Sequence, residues 1–280
     1  MSEGFRKVSV FRSAILQFYQ ESARSLPWRD TSDVYEVAVS EFMLQQTQVS
    51  RVLEKYPLFL GRFPTAASLA QASQKEVLLA WQGLGYNRRA LWLQGLASFL
   101  VDHPRPSYEE LLSVKGVGFY TAAAICSFAY NEDVVVSDVN VSRVFKRFFG
   151  EDSEELLREA LPSSCSRVWH NALMDFGSSI CTKRSPSCES CPLVDSCYAY
   201  QNDTFSEEKS SSQPRFAGSV RWHRGQIIKA VLKKPRTQEQ LWYFLDGSLR
   251  DKDKFLLALE QYVDEGFLRE EKGLFVIAEK

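Results

Sequence analysis

The chain has 280 residues, of which 45% are hydrophobic and 25% charged, with a formal net charge of −1. That balance excludes a disordered chain and a globally basic nucleic-acid binder, so any polyanion contact must come from local clusters of Lys and Arg. No apolar run approaches the ~20 residues of a membrane span, and the opening MSEGFRKVSV lacks a signal-peptide core, which points to a cytoplasmic, intracellular protein whose thiols stay reduced or bind metal.

Val8, Ile15, Leu16 and Phe18 set a helical period that ends at Leu26-Pro27-Trp28-Arg29. Ser32 to Leu53 reads as one long helix in which Glu41 shares a face with Val37, Ala38 and Leu44, continued by Gln45 and Gln48. A carboxylate on an apolar stripe is costly unless paired or protonated, so its pKa is expected to rise. Phe63 to Leu100 holds two helices around Gly83-Leu84-Gly85-Tyr86-Asn87-Arg88-Arg89, where a hinged Tyr and paired Arg suit an aromatic wedge beside phosphate contacts. Leu111, Leu112 and Val114 close a short helix before Gly116-Val117-Gly118, whose glycines can take positive φ angles, and Thr121 to Ala129 follows as a small-residue apolar helix. The exposed amides of that hairpin make an anion site suited to a phosphate. Asp138 then opens a helix carrying Val141, Val144, Phe145 and Phe148, with Arg143, Lys146 and Arg147 interleaved. A carboxylate there is stabilised by the free amides and the helix dipole.

Trp169 to Gly177 is a further helix, and Cys181-x6-Cys188-x2-Cys191-x5-Cys197 follows it. Thiolates at this density indicate iron–sulfur or zinc, and a single C-x2-C pair favours the cluster. Cys126 and Cys165 read as structural. Gln201 to Gly218 is a polar, Ser-rich linker. Beyond it come three helices, Val220–Lys233, Thr237–Phe244 and Asp251–Glu265, and a hairpin around Gly273, in the manner of a winged helix. From Arg221 onward, twelve Lys and Arg face ten Asp and Glu, so DNA or a protein could be its partner.

Four strings together, SEFMLQQTQV, LGYNRRA, the hairpin through Asp138 and the cysteine spacing, resemble the helix–hairpin–helix DNA glycosylases of the endonuclease III and MutY branches over roughly residues 8 to 200. The resemblance implies an all-α fold: a six-helix barrel domain with the hairpin over residues 30–135, and an iron–sulfur domain from residues 1–29 and 136–200. A linker at 201–218 and a winged-helix-like α+β module at 219–280 complete the expected order. It further implies a monofunctional adenine glycosylase of base excision repair, acting on adenine opposite guanine or 8-oxoguanine. Glu41 would be the general acid, with Asp138, Tyr120 and Asn140 completing the catalytic set. Arg29, Gln45, Gln46, Tyr86, Arg88, Lys115, Gly116, Gly118 and Arg143 would contact DNA. Cys181, Cys188, Cys191 and Cys197 would hold a 4Fe–4S cluster. The expected partner is mismatched double-stranded DNA in the nucleoid, met by a monomer with no other small-molecule cofactor and no membrane.

Tyr120 stands where bifunctional members carry Lys, and a phenol forms no Schiff base. Three departures stand out: Lys115 replaces a Pro, Asp138-Val139-Asn140 replaces Asp-Gly-Asn, and the C-terminal residues cannot form the usual Nudix-like domain. The alternatives are a thymine or uracil glycosylase for G·T and G·U, and a non-catalytic DNA sensor.

Overall fold

A computed structural model describes residues 3–205 and 215–279. In chain order the helices are α1 (Glu3–Ser22), α2 (Val34–Leu44), α3 (Val49–Arg62), α4 (Ala66–Ala70), α5 (Gln74–Ala80), α6 (Arg88–Asp102), α7 (Tyr108–Ser113) and α8 (Phe119–Tyr130). They continue as α9 (Val139–Phe149), α10 (Glu154–Ala160), α11 (Ser166–Ser179), α12 (Tyr198–Gln201), α13 (Val220–Lys233), α14 (Gln238–Phe244) and α15 (Lys252–Asp264). Strands β1 (Leu268–Glu271) and β2 (Leu274–Ile277) pair antiparallel, with Leu268 opposite Ile277. The expected all-α architecture with a small C-terminal hairpin is therefore the observed one. Of the expected 201–218 linker, residues 206–214 lie outside the described residues. Among the described residues no helix is long and apolar enough to cross a membrane.

The chain forms two compact units. Met1–Phe42 and Asp102–Lys209 make the first, and Met43–Val101 and Ser210–Lys280 make the second. These units cut across the expected 30–135 segment, because packing groups residues 43–101 with the C-terminal module while sequence motifs mark chemistry.

The first unit is built around α9 and α11, with α1 packed on α11. Phe11, fully buried, stacks on Phe148 at 4.9 Å and meets Trp169 edge-on at 5.9 Å. Burying a side chain of this size contributes about 1.5–3 kcal/mol, so the three rings anchor α1 to the helix that carries Asp138. Helix α8 is buried along nearly its whole length, because Ala122, Ala123 and Ala124 let neighbouring backbones approach closely. It ends at Asn131, which takes the left-handed conformation (φ 55°).

In the second unit, α13 packs on α5, α14, α15 and β2. The Arg236–Phe275 bridge adds a short third edge to the hairpin, completing a three-helix module with a wing. The Gln74 side chain donates to the Gly266 carbonyl and its amide donates to Glu279, tying α5 to the module.

One expected helix is two. Ser32 to Leu53 breaks after Leu44, and Gln46 sits at φ +55° in the turn before α3. Gln45 and Gln48 therefore do not continue the Glu41 face. The break is held by the buried Arg89, which donates to the Met43 carbonyl at 3.2 Å and the Gln45 carbonyl at 2.5 Å. Phe63 to Leu100 likewise holds three helices, not two: short α4 and α5 each begin at a capping box, Thr65 with Ser68 and Ser73 with Glu76.

Candidate active site

Glu41 lies on α2 near its C-terminal end and is 6% exposed, surrounded by Val37, Ala38 and Phe42 of its own helix. Burial pushes its carboxyl up to about 7; the Tyr120 hydroxyl, hydrogen-bonded to it, pulls the other way, and the nearby Asp138 carboxylate adds to the rise. Three expected catalytic side chains thus converge within the first unit. Tyr120 sits in the first turn of α8 with a third of its surface open. Burial of its hydroxyl end and the Glu41 and Asp138 carboxylates push the phenol well above its ordinary value, so it stays a hydrogen-bond donor.

Asp138 is the N-cap of α9. Its Oδ1 accepts the amides of Asn140 and Val141, each at 2.8 Å, and its Oδ2 accepts Asn140 Nδ2 at 2.8 Å. Asn140 Oδ1 in turn accepts from Arg143 Nη2 at 2.9 Å. The carboxylate is thereby held by three N–H donors at the positive end of a helix, the setting that favours its anionic form. Gly177 of α11 has to be a glycine for this geometry: a Cβ there would stand 2.9 Å from Asn140 Cβ and 3.3 Å from the Asn140 carbonyl oxygen.

The expected DNA-contact residues fall into two groups. Lys115, Gly116 and Gly118 form the hairpin between α7 and α8, with Lys115 exposed. Only Gly116 uses the left-handed region (φ +91°); Gly118 is the extended N-cap of α8 at φ −97°. Tyr86 is 44% exposed and strained at φ +46°. Gln45 and Gln46 lie in the turn after α2.

Three arginines are corrected, because protein groups already engage them. Arg29 grips Asp175 with two bonds of 2.7 Å. Burial raises the Asp175 carboxyl, yet hydrogen bonds from Arg29 and from the Arg24 amide outweigh that and hold it below its usual range. Arg143 is 6% exposed and donates to the carbonyls of Cys181, Val139 and Gly177. Arg88, half exposed, pairs with Glu265 of the C-terminal module at 2.6 Å. The sequence reading passed over two structural groups. Arg89 was taken with Arg88 as a phosphate contact, but burial lowers its pKa to about 10 and it clamps five acceptors instead. Asp175, an acid among the apolar residues of α11, was the available signal for a buried partner of Arg29.

Cys181, Cys188, Cys191 and Cys197 are half-buried beside the α9–α11 core. Arg147 donates to Cys181 Sγ at 3.4 Å and to the Thr182 and Lys183 carbonyls, while Cys197 Sγ donates to the Arg147 carbonyl. Burial pushes the Cys191 thiol up to about 11, with a further rise from the charges of Cys181, Cys197 and Cys188. Four thiols close enough to feel one another, with a guanidinium at one of them, suit an anionic thiolate-bound group. Among the described residues no group of three or more His, Cys, Asp or Glu side chains has the arrangement of a metal site.

Residues 39–167 match the family of HhH-GPD superfamily base excision DNA repair proteins. The chain is 34% identical to an adenine DNA glycosylase of Mycolicibacterium smegmatis, over 97% of both proteins. The chain belongs to the HhH-GPD base excision repair family. Within that family it is also 36% identical to the human adenine DNA glycosylase, over 70% of this chain and 40% of the human one. A thermostable thymine-DNA glycosylase of known structure superposes with a TM-score of 0.66 and 30% identity, covering 70% of this chain and 98% of that one. An endonuclease III in a non-covalent DNA complex, 22% identical, shares the fold at a TM-score of 0.63. This HhH-GPD protein is thus an enzyme of the DNA N-glycosylase class, and its paired carboxylates sit where glycosidic chemistry needs them.

Proposed function

We propose that the chain is a monofunctional adenine glycosylase that hydrolyses the N-glycosidic bond of adenine mispaired with guanine or 8-oxoguanine. The observation that carries this reading is the pairing of Glu41, raised to about 7, with Asp138 in one pocket. Glu41 is protonated at neutral pH and donates to N7 of a flipped adenine, making the base a better leaving group. Asp138 stabilises the positive charge that develops on the sugar as the bond breaks. Environments that set two carboxylates apart in this way let one supply a proton and the other a charge. Tyr120 donates to the Glu41 carboxylate once the proton has left. Asn140 orients Asp138 through Nδ2. Having a phenol and no amine at residue 120, the site hydrolyses the base without Schiff-base strand cleavage.

DNA reaches the enzyme as mismatched duplex bound by a monomer. Lys115 and the amides of the Gly116–Gly118 hairpin hold a phosphate. Gln45, Gln46 and Tyr86 fill the stack opened by base flipping, offsetting an extrusion cost of a few kcal/mol. The expected functional division remains part of this proposal: barrel and hairpin at 30–135, cluster domain at 1–29 and 136–200, linker at 201–218 and winged module at 219–280.

The deciding experiment incubates the full chain with A·8-oxoguanine, A·G, T·G and U·G duplexes, followed by alkali. Strand cleavage of the adenine strand in the first two supports the reading. Cleavage confined to T·G and U·G would move the assignment to the thymine branch, whose member of known structure is 30% identical.

The four cysteines Cys181, Cys188, Cys191 and Cys197 are proposed to bind a 4Fe–4S cluster. It would staple the loop after α11 and keep Arg147 and the α9 C-terminus in place. Purified protein should be brown and contain iron with acid-labile sulfide, and Cys191→Ser should lower both. Colourless protein containing zinc would overturn the cluster assignment.

A further inference from the structure

A cavity of about 1100 Å³ in the second unit opens between α13 and the Gly83–Arg89 turn. Six cationic side chains line it, Lys55, Arg88, Arg89, Arg221, Arg224 and Lys229, against a single carboxylate, Glu265. Glu265 pairs with both Arg88 and Arg224, so it balances only part of that charge. In a chain of net charge −1 this is a local concentration, and a cleft lined by one sign of charge focuses its field on an anion.

The same cavity has aromatic walls. Arg89 lies over the Tyr86 ring at 5.4 Å and Arg88 over the Trp92 ring at 5.9 Å. The Gln45, Gln46 and Gln226 amides supply paired donors and acceptors along the edge. Phosphate on the cations, a base on a ring and its edge on amides are the three contacts a nucleotide makes. Tyr86 is the element shared by both sides. Its strained backbone presents the ring, and Arg221 of α13 donates to its hydroxyl at 3.1 Å. The turn is further tied to the module where Asn87 Nδ2 donates to the Tyr262 hydroxyl at 2.9 Å.

We propose that this cavity receives the nucleotide left without a partner in the strand across from the excised base, with Arg221 positioning Tyr86 against it. The C-terminal module is then a reader of the opposite strand. This rests on the assignment of the chain as a glycosylase acting on duplex DNA.

Gly225 offers a steric test. It lines the cavity, yet a Cβ built on it meets nothing within 4 Å. Gly225→Leu favours helix α13 while projecting into the space the nucleotide would occupy. Equilibrium binding of the full chain is measured on duplexes carrying a tetrahydrofuran abasic analogue across from guanine, 8-oxoguanine, or a second tetrahydrofuran. Wild type should bind an orphan purine about tenfold more tightly than the doubly abasic duplex, the scale of one stacked base. Gly225→Leu and Arg221→Met should each remove most of that preference, with affinity for the doubly abasic duplex kept within about twofold. The melting temperature of Gly225→Leu should not fall.

A preference that survives both variants overturns the proposal, as does equal weakening on every duplex or no preference in wild type. Because binding is read without excision, the two assignments fail separately. A wild type that prefers orphan purines but releases no adenine refutes only the adenine reading. One that releases adenine with no such preference refutes only the groove.

Discussion

Glu41→Gln is expected to lower single-turnover excision by about 10²–10⁴-fold, the range for loss of a general acid, while leaving DNA affinity intact. The amide matches the carboxyl in shape and still accepts from Tyr120, but it has no proton to give. Wild-type excision should in addition fall as pH rises through about 7, where Glu41 loses its proton. Tyr120 and Asp138 face the same carboxyl, and neither reverses this sign: the phenol stays protonated well beyond neutral pH, and the Asp138 charge keeps Glu41 protonated. A pH–rate profile that is flat from 5 to 9, or a Glu41→Gln variant at wild-type rate, would remove Glu41 from the chemistry.

The same residue links activity to stability. In the unfolded chain a Glu titrates near ~4.3, whereas in the folded protein Glu41 titrates near about 7. The folded state therefore binds the extra proton between those values, and stability falls as pH rises through that window. Above it the buried charge costs up to about 3 kcal/mol, an upper bound from the shift alone. Glu41→Gln should melt higher than wild type at pH 8, with the difference vanishing near pH 4. Catalysis and stability are opposed at this position, as is common where a site keeps a charge out of water.

Asp138→Asn is expected to cost about 10²–10³-fold in excision, the scale of removing one preorganised electrostatic contact to a developing charge. Asn is as good an N-cap as Asp, so α9 should persist and its helical signal should not change. There is a local cost as well. With the amide oxygen facing the Asn140 and Val141 amides, the new NH₂ group meets Asn140 Nδ2, donor against donor, a loss of about 1–3 kcal/mol. Melting should register that loss while duplex binding holds. Wild-type excision by Asp138→Asn would show that the carboxylate is only a cap, and the two-carboxylate mechanism would fail with it.

Periodicity and cap chemistry, which act within a few residues, made α1, α8, α9 and the three C-terminal helices legible, and with them the places of Glu41 and Asp138. The pattern of the β-hairpin around Gly273 was legible for the same reason. A helical period cannot report where distant backbone carbonyls will be claimed. The break after Leu44 exists because Arg89, 46 residues from Met43, draws off the Met43 and Gln45 carbonyls. Charge in a sequence also carries no partner. Arg29 and Arg143 looked like phosphate contacts until Asp175 and three carbonyls proved to hold them. By itself the sequence determined which residues could do the chemistry, because side-chain type and local capping are properties of short segments. Only the tertiary structure decided which of them face one another, since the desolvation that raises Glu41 and the contact between Arg221 and Tyr86 arise from packing between segments far apart in the chain.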